Sequence, residues 1–145
     1  MTDCIFCKII NGEIPSVKVY EDDLVYAFLD ISQTTPGHTL LVPKEHVQDI
    51  FDYSPTLAGD VLARLPKIAK GLDKAFPDML GLNILNNNRE AAYQTVFHSH
   101  WHLIPRYGEK DGFSLTFTNH MDDVSKEQLT SLAEQITQGI SEVTE

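Results

Sequence analysis

Phe97-His98-Ser99-His100-Trp101-His102-Leu103-Ile104 places three histidines at alternate positions and runs on into Pro105 and Arg106. The stretch is rich in aromatic and aliphatic residues and has no glycine or internal proline, so its pattern predicts a strand. Side chains alternate between the faces of a strand, which puts His98, His100 and His102 in one row, about 7 Å apart, with Ser99, Trp101 and Leu103 opposite. Packing alone accounts poorly for such a row, because each buried imidazole brings two ring nitrogens that need partners. A metal site could use it, and so could a histidine nucleophile flanked by helper groups.

Working outward, Leu80-Gly81-Leu82-Asn83-Ile84-Leu85-Asn86 alternates and predicts a strand that pairs antiparallel with the histidine strand. The polar loop from Asn87 to Thr95 would then fold over one end of the histidine row. Earlier in the chain, Val17–Glu21 and Leu24–Leu29 flank Asp22-Asp23, the pattern of a hairpin. Thr34-Thr35-Pro36-Gly37 is turn chemistry and delivers His38 to Val42 as a further strand ending at Pro43. Read alone, Asp30 is a turn aspartate, His38 a loop residue and His46 a solvated residue at a loop–helix junction.

Ser54-Pro55 starts a helix with a capping residue and a first-turn proline. Leu57, Val61, Leu65, Ile68, Ala69, Leu72 and Phe76 form its core stripe. Pro66 interrupts the stripe, and an interior proline costs about 3 kcal/mol, so a kink or break is expected between Leu62 and Pro66. Near the N-terminus, Asp3 can cap a short helix through about Ile10, which Asn11-Gly12 would stop. Cys4 and Cys7 are spaced as half a zinc site, although a small buried apolar Cys7 beside an incidental Cys4 has the same pattern. Past Arg106, Phe113–Phe117 suggests a short extra strand, and His120 lies alone in a polar stretch. Ser125 to Gln128 matches a capping box, and Leu129, Leu132, Ala133, Ile136, Ile140 and Val143 mark one face of a terminal helix over about 125–143, expected to dock on the sheet or on a partner subunit.

The 145 residues, 42% of them hydrophobic, predict one compact domain spanning 1–145, with its core at about 3–108. A formal net charge of -10 argues against a nucleic-acid polymer or an anionic membrane as partner, though not against a small nucleotide. No apolar run approaches a membrane span, and the N-terminus lacks the pattern of a signal peptide, so a cytoplasmic location is expected. In a reducing compartment two cysteines favour a metal pair or a redox pair over a disulfide.

With these residues in place, the chain resembles the histidine triad family in its nucleotide-binding branch. The resemblance is carried by Ile5-Phe6-Cys7-Lys8-Ile9-Ile10, Gly12 to Pro15, Phe28 to Ile31, Pro36 to His46 and Asn86 through Arg106, in the family's order. It implies an α+β fold, an antiparallel sheet of about five strands carrying a long helix, assembled as a homodimer. It also implies cleavage at the α-phosphate of purine nucleoside phosphoramidates or dinucleoside polyphosphates through a nucleotidyl-histidine intermediate. The alternative is a nucleotide-binding regulatory module with little turnover.

Position by position, the resemblance makes His100 the nucleophile, with His102 and His38 donating to non-bridging phosphate oxygens. Thr95 falls near the leaving group, Gln94 and Asn87 near the phosphates and Asp30 on the ribose hydroxyls, while Ile5, Phe6, Ile9 and Leu29 match the apolar slot for the base. In relatives with Cys-x-x-Cys near the N-terminus, zinc is held by those sulfurs and two histidines, here Cys4, Cys7, His46 and His98. Such a closed site is structural. A hydrolytic metalloenzyme using all three histidines as ligands is the competing reading. The chain departs from its relatives at Arg89 and Tyr93, where glycine is usual, and at Ser99, where a hydrophobic residue is usual. Loss of the glycines suggests a different backbone path near the phosphates. Arg89 is then a candidate contact for the leaving group or a longer polyphosphate chain.

Overall fold

Strands β1 (Lys18–Glu21), β2 (Val25–Leu29), β3 (Thr39–Pro43), β4 (Gly81–Leu85) and β5 (Trp101–Arg106) hydrogen-bond in the order β1-β2-β3-β5-β4, every pair antiparallel. This computed structural model describes residues 3–144. The chain divides into two units, Met1–Phe113 and Ser114–Glu145. The sheet belongs to the first, with helices α1 (Ile5–Ile10), α2 (Pro55–Leu62) and α3 (Leu65–Ala75). The second holds helix α4 (Lys126–Ser141), capped by Ser125 and Gln128 in the expected box. Among the described residues from Ser114 onward none is buried, so this unit has no core of its own.

Alternation along the strands sorts side chains to two faces. Val25, Ala27, Leu41 and Leu103 join Leu57, Val61, Leu65, Ile68 and Leu72 of α2 and α3 in the larger core. Tyr26, Phe28, Leu40 and Val42 point the other way and pack with Phe6 and Ile9 of α1. The hairpin, the β4–β5 pairing and the arrival of β3 after the Thr34–Gly37 turn match the sequence pattern.

The histidine stretch departs from it. Ladder pairing begins only at Trp101, so His98 and His100 precede β5 instead of lying within it. Alternation nonetheless extends upstream: Ser99 Oγ and Trp101 Nε1 both reach the Tyr53 hydroxyl, at 2.8 and 3.1 Å, while the imidazoles of His98 and His100 turn to the Phe6 side. Phe113–Phe117 forms no strand. At the N-terminus Cys4, not Asp3, caps α1, because its sulfur accepts the Cys7 N–H at 3.4 Å.

Pro66 ends the single-helix pattern as expected. The chain breaks at Ala63 and Arg64, and Pro66 sits in the first turn of α3, where its missing N–H has no helical partner to lose. Gly37 (φ +95°) is needed in the turn before β3, since a Cβ there would lie 2.7 Å from the Phe76 ring. Thr35 Oγ1 donates to the Pro105 carbonyl at 2.6 Å, which fastens that turn to β5 and brings His38 against the histidine stretch.

At the break Arg64 donates through Nε to Asp22 Oδ2 at 2.9 Å and through Nη1 to the Asp60 carbonyl at 2.7 Å. Asp22 Oδ1 also accepts from the Leu24 and Val25 N–H groups, so one carboxylate ties the hairpin turn to the helix junction. Burial opposes its charge, but the bonds from Leu24, Tyr20, Arg64 and Val25 outweigh it and hold the carboxyl well below the usual carboxylate range. Replacing Asp22 by Ala is expected to destabilise the protein by about 2 kcal/mol at pH 7. Because the folded-state pKa is depressed, that stabilisation is present above about pH 4 and fades as pH falls through the folded value. Urea denaturation of both proteins between pH 3 and pH 7 checks this: the gap between them should narrow on the acid side.

Candidate active site and metal cluster

Two groups of side chains meet where α1, the start of β3 and the stretch before β5 converge. The first is Cys4, Cys7, His46 and His98, whose ligand atoms all lie within 4.8 Å of one another. Cys4 Sγ and Cys7 Sγ stand 3.4 and 3.6 Å from His98 Nδ1, Cys7 Sγ stands 3.4 Å from His46 Nδ1, and the two Nδ1 atoms are 3.1 Å apart. Ligands at zinc bond lengths and tetrahedral angles would be about 3.3–3.8 Å from one another, so the four atoms sit close to the corners such an ion needs. The fully buried His98 donates Nε2–H to the Pro43 carbonyl at 2.8 Å, which leaves the Nδ1 lone pair facing the sulfurs. Burial pushes the His98 pKa down to about 4 and, with the neighbouring Cys4, pushes the Cys7 thiol up to about 11. These four residues could hold a metal ion.

The second group is Asp30, His38, His100 and His102, and main-chain atoms assign its protons. His100 donates Nδ1–H to the His98 carbonyl at 2.8 Å, so its Nε2 carries a lone pair. Thr34 N–H donates to His38 Nδ1 at 3.2 Å, which places the His38 proton on Nε2. That N–H donates to His102 Nδ1 at 2.9 Å, and His102 in turn carries its proton on Nε2. Burial lowers the pKa values of His38 and His100. It also lowers His102, to about 4 with His100 and His38 adding to the effect, so all three rings are neutral at pH 7. The site thus presents one unprotonated ring nitrogen beside one N–H donor, with ring centroids of His100 and His102 5.1 Å apart.

Asp30 follows β2, and its Oδ1 accepts from Ser32 N–H and Oγ at 2.8 and 2.6 Å. Burial works against the charge, but the Ser32 bonds and the nearby histidines hold its pKa below the ordinary value. Its other oxygen, Oδ2, lies 3.7 Å from His38 Nε2.

The remaining expected residues separate. Phe6 and Ile9 are buried beside the site, and the Phe6 ring meets His100 edge-on at 5.1 Å. Ile5 on the same helix is half exposed. Leu29 lies with Ile68 and Leu72 in a cavity on the opposite face of the sheet, so it does not join Phe6 and Ile9. Its neighbour Phe28 does, packing edge-to-face on Phe6 at 5.5 Å. His38 engages His102 with its only N–H and so reaches the site through that ring. Gln94 is buried, with Oε1 accepting the Arg89 N–H at 2.7 Å and Nε2 donating to the Gln48 and Val96 carbonyls at 2.6 and 3.1 Å. That makes it a brace for the loop. Asn87 is half-buried and Thr95 exposed.

Several contributors had no side-chain signal in the sequence. Thr34 and Pro43 act through backbone atoms. Asn86 Nδ2 donates to the His100 carbonyl at 2.9 Å, and Asn88 links Asn86 Oδ1 to the Ile50 N–H, both at 2.7 Å. The backbone at Arg89 (φ 75°, ψ 162°) and Tyr93 (φ 69°, ψ 23°) lies at positive φ. The loop therefore keeps conformations that favour glycine even though neither residue is glycine, at a strain of about 1–3 kcal/mol each.

A family model described as the HIT domain matches residues 11–109. The chain is 38% identical over 137 residues to an adenosine 5'-monophosphoramidase of Schizosaccharomyces pombe, covering 94% of this chain and 98% of that one. A crystal structure of a HIT family member from Bacillus subtilis has a TM-score of 0.92 at 48% identity and covers 99% of both chains. That of a zinc-bound histidine triad family protein from Mycobacterium smegmatis has a TM-score of 0.72 at 31% identity, covering 95% of this chain and 98% of that one. Matches of this extent to the family model and to its members, over a fold already traced strand by strand, establish that the chain belongs to the histidine triad family.

Proposed function

We propose that the protein is a nucleotide hydrolase that cleaves at the α-phosphate of a purine nucleoside phosphoramidate or dinucleoside polyphosphate. The observation that carries this reading is the His100–His98 hydrogen bond, which leaves His100 Nε2 unprotonated and able to attack. Nε2 forms a bond to the α-phosphorus while the bond to the leaving amine or phosphate breaks in line, and a leaving amine takes up a proton from solvent, His100 keeping its Nδ1–H on the His98 carbonyl. Water then adds its oxygen to phosphorus as the phosphorus–Nε2 bond breaks and gives its proton to solvent, releasing the nucleoside monophosphate and restoring the neutral ring. His102 Nε2–H, held by His38 and the Thr34 N–H, donates to a non-bridging oxygen as charge builds there. Asp30 offers Oδ2 to the ribose hydroxyls, and Phe6, Ile9 and Phe28 supply an apolar wall for the base. By their positions in the family's pattern, Thr95 is assigned to the leaving group and Asn87 to the phosphates.

The likeness to a monophosphoramidase supports the reaction, and the donor set and spacing of Cys4, Cys7, His46 and His98 support zinc. Bound there, zinc would supply structural closure between α1, the segment after β3 and the stretch before β5, apart from the reacting atoms. The histidine triad domain is then the unit that holds the sheet and the matched residues 11–109, in a cytoplasm that keeps both thiols reduced. Strand β4 is an outer strand of the sheet with a half-exposed Ile84, which supports pairing with a second copy of the chain.

Rapid quench with adenosine 5'-phosphoramidate is expected to trap adenylate on the wild-type protein and none on His100→Ala, whose turnover should fall by at least about a thousandfold. Wild-type protein that binds adenosine monophosphate yet neither traps adenylate nor turns over would instead be the nucleotide-binding module. Chelation is expected to lower Tm by about 5 °C or more. Activity at 25 °C should follow the folded fraction. Immediate loss of activity at unchanged Tm would place the metal in the chemistry.

A further inference from the structure

We infer that Arg89, carried on the ring of Phe51, selects the leaving group, and that the group it takes is an anionic polyphosphate chain rather than an uncharged amine. This rests on the reaction proposed above and names the substrate class for it. A dinucleoside polyphosphate meets that description and a simple phosphoramidate does not.

The backbone at Arg89, φ 75° and ψ 162°, lies in a region held almost solely by glycine, and Tyr93 four residues on is left-handed. Two strained residues in one short loop are costly to keep unless their side chains or their positions are used. Neither side chain fills a core: Arg89 is exposed and Tyr93 is 84% exposed. The guanidinium carbon instead lies 3.9 Å from the centroid of the Phe51 ring, itself 64% exposed.

Charge separates Arg89 from the other two arginines. Arg64 is paired with Asp22 and Arg106 with Asp111, whereas among the described residues no carboxylate lies within ion-pair distance of Arg89. In a chain of net charge -10 this is a cation with an aromatic support and no counter-charge. Its planar fork suits phosphate oxygens.

Position links it to the nucleophile. Asn86 holds the His100 carbonyl, Asn88 joins Asn86 to the Ile50 N–H in the turn that carries Phe51, and Gln94 holds the Arg89 N–H. Both the cation and its ring are therefore indexed to the His100 backbone by side-chain amides. Arg89 follows Asn86 by three residues, so their Cα atoms are at most about 11 Å apart. Arg89 thus stands on a loop tethered to the His100 backbone, and its long side chain is the cation that loop offers to a chain of phosphates leaving from His100.

The test compares wild type with Arg89→Gly, which relieves the backbone, and Arg89→Gln, which keeps the strain and replaces the guanidinium by a shorter neutral amide. The first readout is equilibrium binding of adenosine 5'-tetraphosphate relative to adenosine monophosphate. The second is the kcat/KM ratio of diadenosine tetraphosphate to adenosine 5'-phosphoramidate. Both variants are expected to lose about tenfold or more of the preference for the polyphosphate in each ratio, and wild-type tetraphosphate binding should weaken more steeply with salt than theirs. Ratios within about twofold of wild type in either variant overturn the inference. So does a loss in Arg89→Gly alone, which would trace the effect to the loop backbone. If wild-type protein turns over neither compound, the reaction assignment fails, and the binding ratio still decides whether Arg89 reads the polyphosphate.

Discussion

The chemistry of this site depends on main-chain atoms that commit one nitrogen of each of three imidazoles. The His98 carbonyl takes the Nδ1 proton of His100, the Pro43 carbonyl takes the Nε2 proton of His98, and the Thr34 N–H occupies Nδ1 of His38. A buried neutral histidine otherwise has two tautomers of similar energy, and only one of them leaves a lone pair where it is useful. Peptide groups are suited to this selection because they neither titrate nor change rotamer. Burial then keeps the rings neutral by lowering their pKa values, so tautomer and charge state are set by separate features.

The fold braces those main-chain atoms from several sides. Pro43 ends β3, which pairs along its whole length with β2. Thr34 lies in a turn fastened by Thr35 to the Pro105 carbonyl, and Gly37 lets the turn pass beneath Phe76. On the far side of the stretch, Ser99 and Trp101 are anchored to Tyr53, whose burial raises its own pKa and keeps its hydroxyl protonated as a hydrogen-bonding centre. The histidine segment is thus held by backbone and aromatic contacts on one face while its rings work on the other.

The parts of this arrangement that are local in sequence were legible there. The alternation of His98, His100 and His102 needs only an extended backbone, so it survives even though ladder pairing starts at Trp101. Pro66 breaks the helix for reasons contained in its own ring. Phe28 and Leu29 show a different lesson: their assignment to opposite faces follows from the same period-two pattern, with Leu29 beside Ala27 and Phe28 beside Tyr26, and the apolar wall next to His100 falls to Phe28. What the residues did not disclose is carried by peptide atoms. The Pro43 carbonyl that fixes His98 comes from a distant segment, while the His98 carbonyl and the Thr34 N–H lie two and four residues from His100 and His38, and in either case peptide atoms leave no compositional mark. Gln94 looks like a ligand contact by residue type but is occupied by three backbone groups. Arg89 and Tyr93 sit at backbone angles that their side chains disfavour, so propensity pointed away from the path the loop takes.

His98 takes part in two arrangements through different atoms. Its ring belongs to the cluster with Cys4, Cys7 and His46, while its carbonyl belongs to His100. A peptide oxygen is present whatever residue occupies the position. Lineages could therefore discard the thiols and the imidazole at 98 together and still inherit the proton placement on His100, provided the backbone stayed in place. Descent can edit the cluster and the proton placement on His100 as separate characters, although His98 takes part in both.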